Sequence, residues 1–173
     1  FQLQTGCGPV ALANRFAWAN GMTLDQREML ALQETVTRYL QGPVVIPWQF
    51  IRGARHLFRR DGFQLDPLTL TLLHHTRAGR ERAIGFIAAA LSADDPPILL
   101  MGPNRPGATY RRDFKNHWVM ITELRVTADH AELTVSSCGQ SFAIDLDGII
   151  RSKLFISLVA LRVRERDHPL TKT

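Results

Sequence analysis

Apolar positions recur at helical spacing through the first half of the chain. In four segments, apolar residues return every three to four positions, and the first of these segments is apolar on nearly all sides. Such spacing predicts amphipathic helices, and a helix that is apolar all round is one that is buried. The four predicted helices cover residues 10–18, 24–39, 48–60 and 79–93.

Two local signals add to these helices. Thr23 and Gln26 have the spacing of a capping box, which predicts the start of the second helix. Asp66 followed by Pro67 has the form of an N-cap and a first helical residue. We therefore expect a short additional helix over residues 68–75.

The pattern changes after the run Asp94-Asp95-Pro96-Pro97. Short segments that are continuously apolar, or that alternate apolar and polar residues, predict β-strands. Residues 147–152 predict a helical turn before the last strand. Helices followed by strands indicate an α+β fold with an antiparallel sheet. The predicted strands are residues 98–101, 118–122, 131–136, 141–144 and 154–163.

Length and composition fit one globular domain. The chain has 173 residues, of which 45% are hydrophobic and 21% charged, and this is enough for a sizeable core. No repeat or linker divides it, and no run reaches the length of a membrane span. We expect a single domain over residues 1–173, with a mainly helical lobe at 1–95, a mainly β lobe at 96–164 and a polar tail at 165–173.

The chain is basic, with 21 Lys and Arg against 16 Asp and Glu and a formal net charge of +5. A basic patch would suit a nucleic acid or an anionic surface. The arginines are spread along the sequence, however, and no nucleic-acid-binding motif accompanies them. Scattered surface arginines are therefore the preferred interpretation, and no nucleic acid partner is expected.

The strongest chemical signal is a cysteine at the start of the first helix. Cys7 follows Gly6, precedes Gly8 and Pro9, and then enters the apolar helical run. The unpaired N–H groups and the positive dipole end of a helix N-terminus favour a thiolate over a thiol. This context predicts a nucleophile, although most cysteines outside disulfides are small buried core residues.

A thiol nucleophile needs a proton acceptor, and the chain has six histidines. His117 is the preferred one, because it follows a long polar loop and directly precedes the apolar strand that begins at Trp118. A side chain at the mouth of a rigid strand can hold its geometry. The two cysteines, Cys7 and Cys138, are too few for a structural zinc site, and neither a metal nor a cofactor is expected.

Three stretches of the chain resemble the papain-like cysteine peptidases, most closely the branch of the bacteriocin-leader peptidases. The resemblance implies a helical lobe packed on an antiparallel β lobe, with a cleft between them. Cys7 would attack a carbonyl carbon, and His117 would hold the ion pair and protonate the leaving group. The three stretches are Gln-x-x-Cys-Gly-Pro-x-Ala-Leu-Ala at the start, Asn116-His117-Trp118-Val119, and Ser136-Ser137-Cys138-Gly139.

The resemblance also implies a glutamine that helps to bind the oxyanion through its side-chain amide, together with the N–H of the cysteine. Gln4 is the preferred candidate and Gln2 is the alternative. Both lie closer to Cys7 than the family's spacing of about six positions, so the turn between them must be shorter here.

A second departure concerns the residue that orients the histidine. The family has Asn or Asp there, whereas this chain offers Ser136 or Ser137, with Ser136 in the orienting position. A hydroxyl can accept from an imidazole N–H, although more weakly than a carboxylate or an amide. The alternatives are a Cys-His dyad without a third residue, orientation of His117 by an acid such as Asp145 or Asp113, and a degenerate site.

The predicted function is that of a cysteine peptidase, a thiol hydrolase that cleaves a peptide or amide bond in a peptide or protein substrate. The alternatives are deamidase, amidase or acyltransferase chemistry on the same fold, and a degenerate domain that binds peptides. A reversible disulfide between Cys7 and Cys138 would switch the nucleophile off. We expect a soluble, free-standing bacterial protein, secreted or delivered as an effector, with room for an upstream segment removed before Phe1.

Overall fold

The structure is a computed structural model that describes residues 6–40, 46–72, 76–104, 116–137, 139–152 and 154–165. Five helices and six strands lie within these ranges. The helices are α1 (Cys7–Ala19), α2 (Gln26–Leu40), α3 (Pro47–Arg60), α4 (Arg77–Ser92) and α5 (Leu146–Arg151). The strands are β1 (Phe63–Leu72), β2 (Ile98–Asn104), β3 (His117–Val126), β4 (Ala131–Ser137), β5 (Gln140–Asp145) and β6 (Leu154–Glu165).

The six described strands form one sheet in the order β1-β6-β2-β3-β4-β5, and all neighbouring strands are antiparallel. β1 and β5 are its edges. β6, the last of these strands in the chain, lies inside the sheet between β1 and β2. The expected α+β class with an antiparallel sheet is therefore confirmed.

Helices cover both faces of this sheet. On one face, α1, α2 and α3 share a buried cluster with residues of β2, β3 and β6 that includes Ile98 and Leu100. On the other face, α4 and α5 pack on a second cluster that includes Leu99 and Met101. Successive strand residues point to opposite faces, so a strand buried on both sides needs an unbroken apolar run, as at 98–101.

The predicted helix at 68–75 is wrong as far as residue 72, and residues 73–75 lie outside the described ranges. Phe63–Leu72 is a strand that pairs with β6 over its whole length. Pro67 cannot donate to a neighbouring strand, but β1 is an edge strand and tolerates it. The alternation of leucine and threonine from Leu68 to Leu72 is the strand signal that the Asp66-Pro67 pair concealed.

The capping box also lies elsewhere than predicted. The Oδ1 atom of Asp25 accepts a hydrogen bond from the N–H of Glu28, and the Glu28 carboxylate accepts from the N–H of Asp25, each at 2.8 Å. α2 therefore begins after Asp25, because the pair with the right spacing is Asp25 and Glu28. Thr23 and Gln26 do not form it.

The remaining predicted elements are confirmed. α1, α3 and α4 follow the helical spacing, the five predicted strands correspond to β2–β6, and α5 is the helical turn expected at 147–152. None of the helices in the described part of the chain is both long and apolar enough to cross a membrane.

Candidate active site

The site begins with the turn that leads into α1. Gly6 is the N-cap and has φ 92° and ψ 170°, a conformation that is essentially restricted to glycine. α1 then starts at Cys7, and no side chain caps its first turn. The N–H groups of the first turn therefore point out of the helix end, as expected for a helix N-terminus.

The sulfur of Cys7 lies against the start of β3. The N–H of Trp118 donates to Sγ at 3.2 Å, and the thiol lies 3.4 Å from the main-chain oxygen of Asn116, to which it donates. These two groups flank His117 in sequence. The structure thus brings together the helix N-terminus and the strand end that the sequence singled out, from positions more than 100 residues apart.

The N–H of Trp118 is turned toward the β4 side of β3. Ile121 donates to Pro97, so Val119, two residues earlier, turns its N–H toward β2 and Trp118 turns its N–H to the other side. The sulfur of Cys7 accepts the hydrogen bond from Trp118 on that side.

Two features fix the start of β3. Asn116 has φ 52°, a left-handed conformation that asparagine adopts more readily than most residues, and it turns the chain into the strand. Trp118 is 1% exposed, and its ring stacks on Phe50 of α3 with centroids 4.5 Å apart and planes at 16°. The main chain around His117 is consequently held by a buried aromatic pair.

The imidazole of His117 contacts β4. Its Nε2 atom lies 2.9 Å from the hydroxyl oxygen of Ser137, a residue that is 3% exposed. His117 is itself half-buried, and this burial lowers its pKa below the ordinary value of 6.5. A lowered pKa favours the neutral ring at pH 7.

The described hydrogen bond of the His117 ring is with Ser137, whereas the sequence placed Ser136 in the orienting position. The Ser136 hydroxyl instead accepts a hydrogen bond from Nδ2 of Asn14 on α1 at 3.4 Å. The two serines separate because successive residues of a strand point to opposite faces of the sheet. The hydrogen bond between Asn14 and Ser136 therefore connects α1 to β4 beside the site. No sequence motif predicted this contact.

The other candidates lie away from His117 or outside the described ranges. Asp145 is at the far end of β5, where it faces Arg151 at 3.4 Å and His130 at 3.6 Å, so it does not orient His117. His56 is exposed on α3. Those outside the described ranges are Gln2, Gln4, Asp113, Cys138, His74, His75 and His168.

One cluster of possible metal ligands occurs in the described part of the chain, formed by His130, Asp145 and Asp147. Its carboxylates already have cationic partners. Arg80 binds Asp147 and Arg151 approaches Asp145, and the hydrogen bond from Arg80 lowers the pKa of the Asp147 carboxyl. Asp147 also accepts from the N–H of Ala131. The arrangement is that of a paired structural cluster that holds α4 and α5 against β4.

No protein-family model matches the chain, and comparisons with curated proteins and with solved structures likewise find no match. Any assignment of function must therefore rest on the geometry of Cys7, His117 and Ser137.

Proposed function

We propose that the protein is a papain-like cysteine peptidase, a thiol hydrolase that cleaves a peptide or amide bond in a peptide or protein substrate. The observation that carries the proposal is the position of the Cys7 sulfur at the N-terminus of α1, against the main chain that flanks His117. The hydrogen bond between Nε2 of His117 and the hydroxyl of Ser137 supports it.

In the resting state, the geometry favours a thiol and a neutral imidazole. The S–H group donates to the main-chain oxygen of Asn116, and burial lowers the pKa of His117. Nε2 then carries the ring proton and donates to Ser137, so that Nδ1 is the acceptor. The proton would pass from Sγ to Nδ1 as the sulfur attacks, and the N–H of Trp118 would stabilise the developing thiolate.

The steps that follow are those of acyl transfer. The sulfur bonds to the carbonyl carbon, and the carbonyl oxygen becomes an oxyanion close to the N–H groups of Cys7 and Gly8. The imidazolium of His117 then protonates the leaving amine, the carbon–nitrogen bond breaks, and a thioester remains. Water, deprotonated by the same imidazole, hydrolyses the thioester and restores the thiol. Gln4 is proposed as an additional oxyanion donor.

A thiol-directed activity probe and a peptide library test the proposal. Cys7→Ala should abolish labelling and cleavage, and His117→Gln should reduce cleavage by roughly 10²- to 10⁴-fold, because a general base is lost. Ser137→Ala should reduce it by roughly 3- to 10-fold, since one hydrogen bond of about 1 kcal/mol disappears. Ser136→Ala is the matched control and should leave activity within about twofold.

The presence of a serine hydroxyl where the resembling family has an amide or carboxylate favours a second candidate, a peptide-binding domain without catalysis. The same experiment separates the two. Cys7-dependent labelling with cleavage supports the peptidase, whereas the absence of both contradicts it. Labelling together with release of ammonia or transfer of an acyl group would assign deamidase, amidase or acyltransferase chemistry to the same residues.

A further inference from the structure

One face of α3 carries cationic side chains that have no acidic partner among the residues that the structure describes. Arg52, Arg55 and Arg59 are three and four residues apart, so their side chains lie on the same face of the helix, and all three are exposed. Within the described part of the chain, none of them forms an ion pair. By contrast, the neighbouring Arg60 has Asp61 at 3.8 Å.

This face forms one wall of a groove, and β1 forms the other. A cavity of about 590 Å³ lies between them and continues into a second cavity of about 420 Å³ that shares Arg55 and Arg59. We call the two cavities together the α3 groove. The first is lined by Trp48, Ile51, Arg52, Arg55, His56, Arg59, Pro67 and Thr69.

The dimensions suit an extended polypeptide. Seven residues separate Arg52 from Arg59, which at 1.5 Å per helical residue is about 10.5 Å. An extended chain covers that length with about three residues, and its alternate side chains on one face are roughly 6.6 Å apart. Acidic residues at alternate positions would thus meet successive arginines.

The ends of the groove differ in character. Trp48, which is 58% exposed, lies at one end and offers an apolar surface. At the other end, Asp66 is already paired with Arg164 at 2.8 Å, so it does not neutralise the arginines of α3. The groove therefore combines unpaired positive charge with one exposed aromatic ring.

We propose that the α3 groove binds an acidic, extended segment of a polypeptide partner. Charge complementarity selects an acidic ligand, and the concave shape between a helix and an edge strand fits a chain better than a membrane surface. A single-stranded nucleic acid would be expected to meet several stacking aromatic rings, whereas Trp48 is the one exposed Phe, Tyr or Trp ring along the described walls. The proposal goes beyond the proposed function and holds whatever chemistry Cys7 performs.

Fluorescence anisotropy with a labelled 12-residue peptide of alternating Glu and Leu tests the proposal. The full chain with Cys7→Ala is used so that the probe stays intact. Arg55→Glu should weaken binding by roughly fivefold or more, and the triple variant Arg52→Glu/Arg55→Glu/Arg59→Glu by roughly 30-fold or more. Arg82→Glu is the matched control, because Arg82 is an exposed arginine of α4 outside any described ion pair, and it should change affinity less than twofold.

Further outcomes decide the proposal. The proposal is supported if the Glu-Leu peptide binds more weakly at 300 mM salt than at 50 mM salt and if the matching Lys-Leu peptide does not bind. Equal effects of Arg55→Glu and Arg82→Glu would overturn it, as would equal binding of the Glu and Lys peptides. The proposal would also be overturned if a 12-residue oligothymidine, or vesicles with anionic lipid, bound more tightly than the Glu-Leu peptide and lost this binding in the triple variant. Circular dichroism confirms that each variant is folded.

Discussion

At Gly6 one main-chain conformation decides where the thiol lies. φ 92° and ψ 170° are strained for any residue with a Cβ, although a Cβ built there meets no atom within 4 Å. Gly6→Ala should therefore destabilise the protein by about 1–3 kcal/mol through the main chain alone. It should also slow alkylation of Cys7, because the helix start must shift.

Gly85 supplies the matched control for this substitution. It lies within α4, and a Cβ added there also meets nothing within 4 Å, but its φ is that of an ordinary helix. Gly85→Ala should stabilise the protein by about 0.5–1 kcal/mol. Urea unfolding measures both changes. Equal effects of the two substitutions would show that the conformation of Gly6 is not strained for alanine.

The protonation of His117 is a second property that belongs to a single residue. Burial lowers its pKa below 6.5, so the ring is neutral at pH 7 and becomes protonated only as the pH falls through the lowered value. The His117 ring signals in NMR, assigned with His117→Gln, should titrate with a midpoint below 6.5. A midpoint above 6.5 would show that an imidazolium–thiolate ion pair prevails instead.

At this scale, the sequence predicted the main-chain segments that lie close together but not the detailed side-chain partners. The Gly6-Cys7-Gly8-Pro9 context and the strand-end position of His117 were sufficient to expect the start of α1 near the start of β3, where the sulfur of Cys7 contacts the main chain of Asn116 and Trp118. The choice between Ser136 and Ser137 depends on which residues of β4 share a face of the sheet with His117. The alternation of buried and half-buried residues in β4 identifies that face only once the order and register of the strands are known.

Among the elements, α2 shows how one local signal can be mistaken for another. Asp25 and Glu28 make the reciprocal hydrogen bonds of the capping box. Asp25→Ala should cost about 1 kcal/mol of stability, and Thr23→Ala should cost less than about 0.5 kcal/mol. Thermal unfolding followed by circular dichroism compares the two. A larger loss for Thr23→Ala would contradict the observed helix start.

β1 shows why local pattern was insufficient for one strand. Asp66-Pro67 is a good helix-start signal when the neighbouring strands are unknown. β1 tolerates proline only because it lies at an edge of the sheet. Edge position is a property of the whole sheet. The other strands were predicted because they are buried or alternate clearly, and these patterns are set by the strand alone.

For the whole molecule, a buried ion pair joins the layers. Arg15 of α1 binds Asp95 at 2.6 Å, and it donates to the main-chain oxygen of Leu161 in β6. Both charged side chains are almost fully buried. Asp95→Ala leaves the Arg15 charge buried without its partner and should cost about 3–5 kcal/mol.

Three further variants sharpen this prediction. Arg15→Met is measured alone and combined with Asp95→Ala, and the double change should cost less than the sum of the two single changes, since no isolated charge remains buried. Arg77→Ala, which removes an exposed pair with Glu81, should cost less than about 1 kcal/mol. Urea unfolding gives all four values. Additive losses for Arg15 and Asp95 would contradict the coupling.

The position of β6 has a consequence for how the protein is made. β1 pairs with β6, and β2 is joined to β1 through β6, so the sheet under α1 and α3 cannot close before this strand is available. We therefore expect Cys7 to remain accessible in a nascent chain until residues 154–165 have left the exit tunnel. Ribosome-stalled chains of increasing length should show protection of Cys7 from alkylation only beyond that point, so the proposed nucleophile would not be assembled during synthesis.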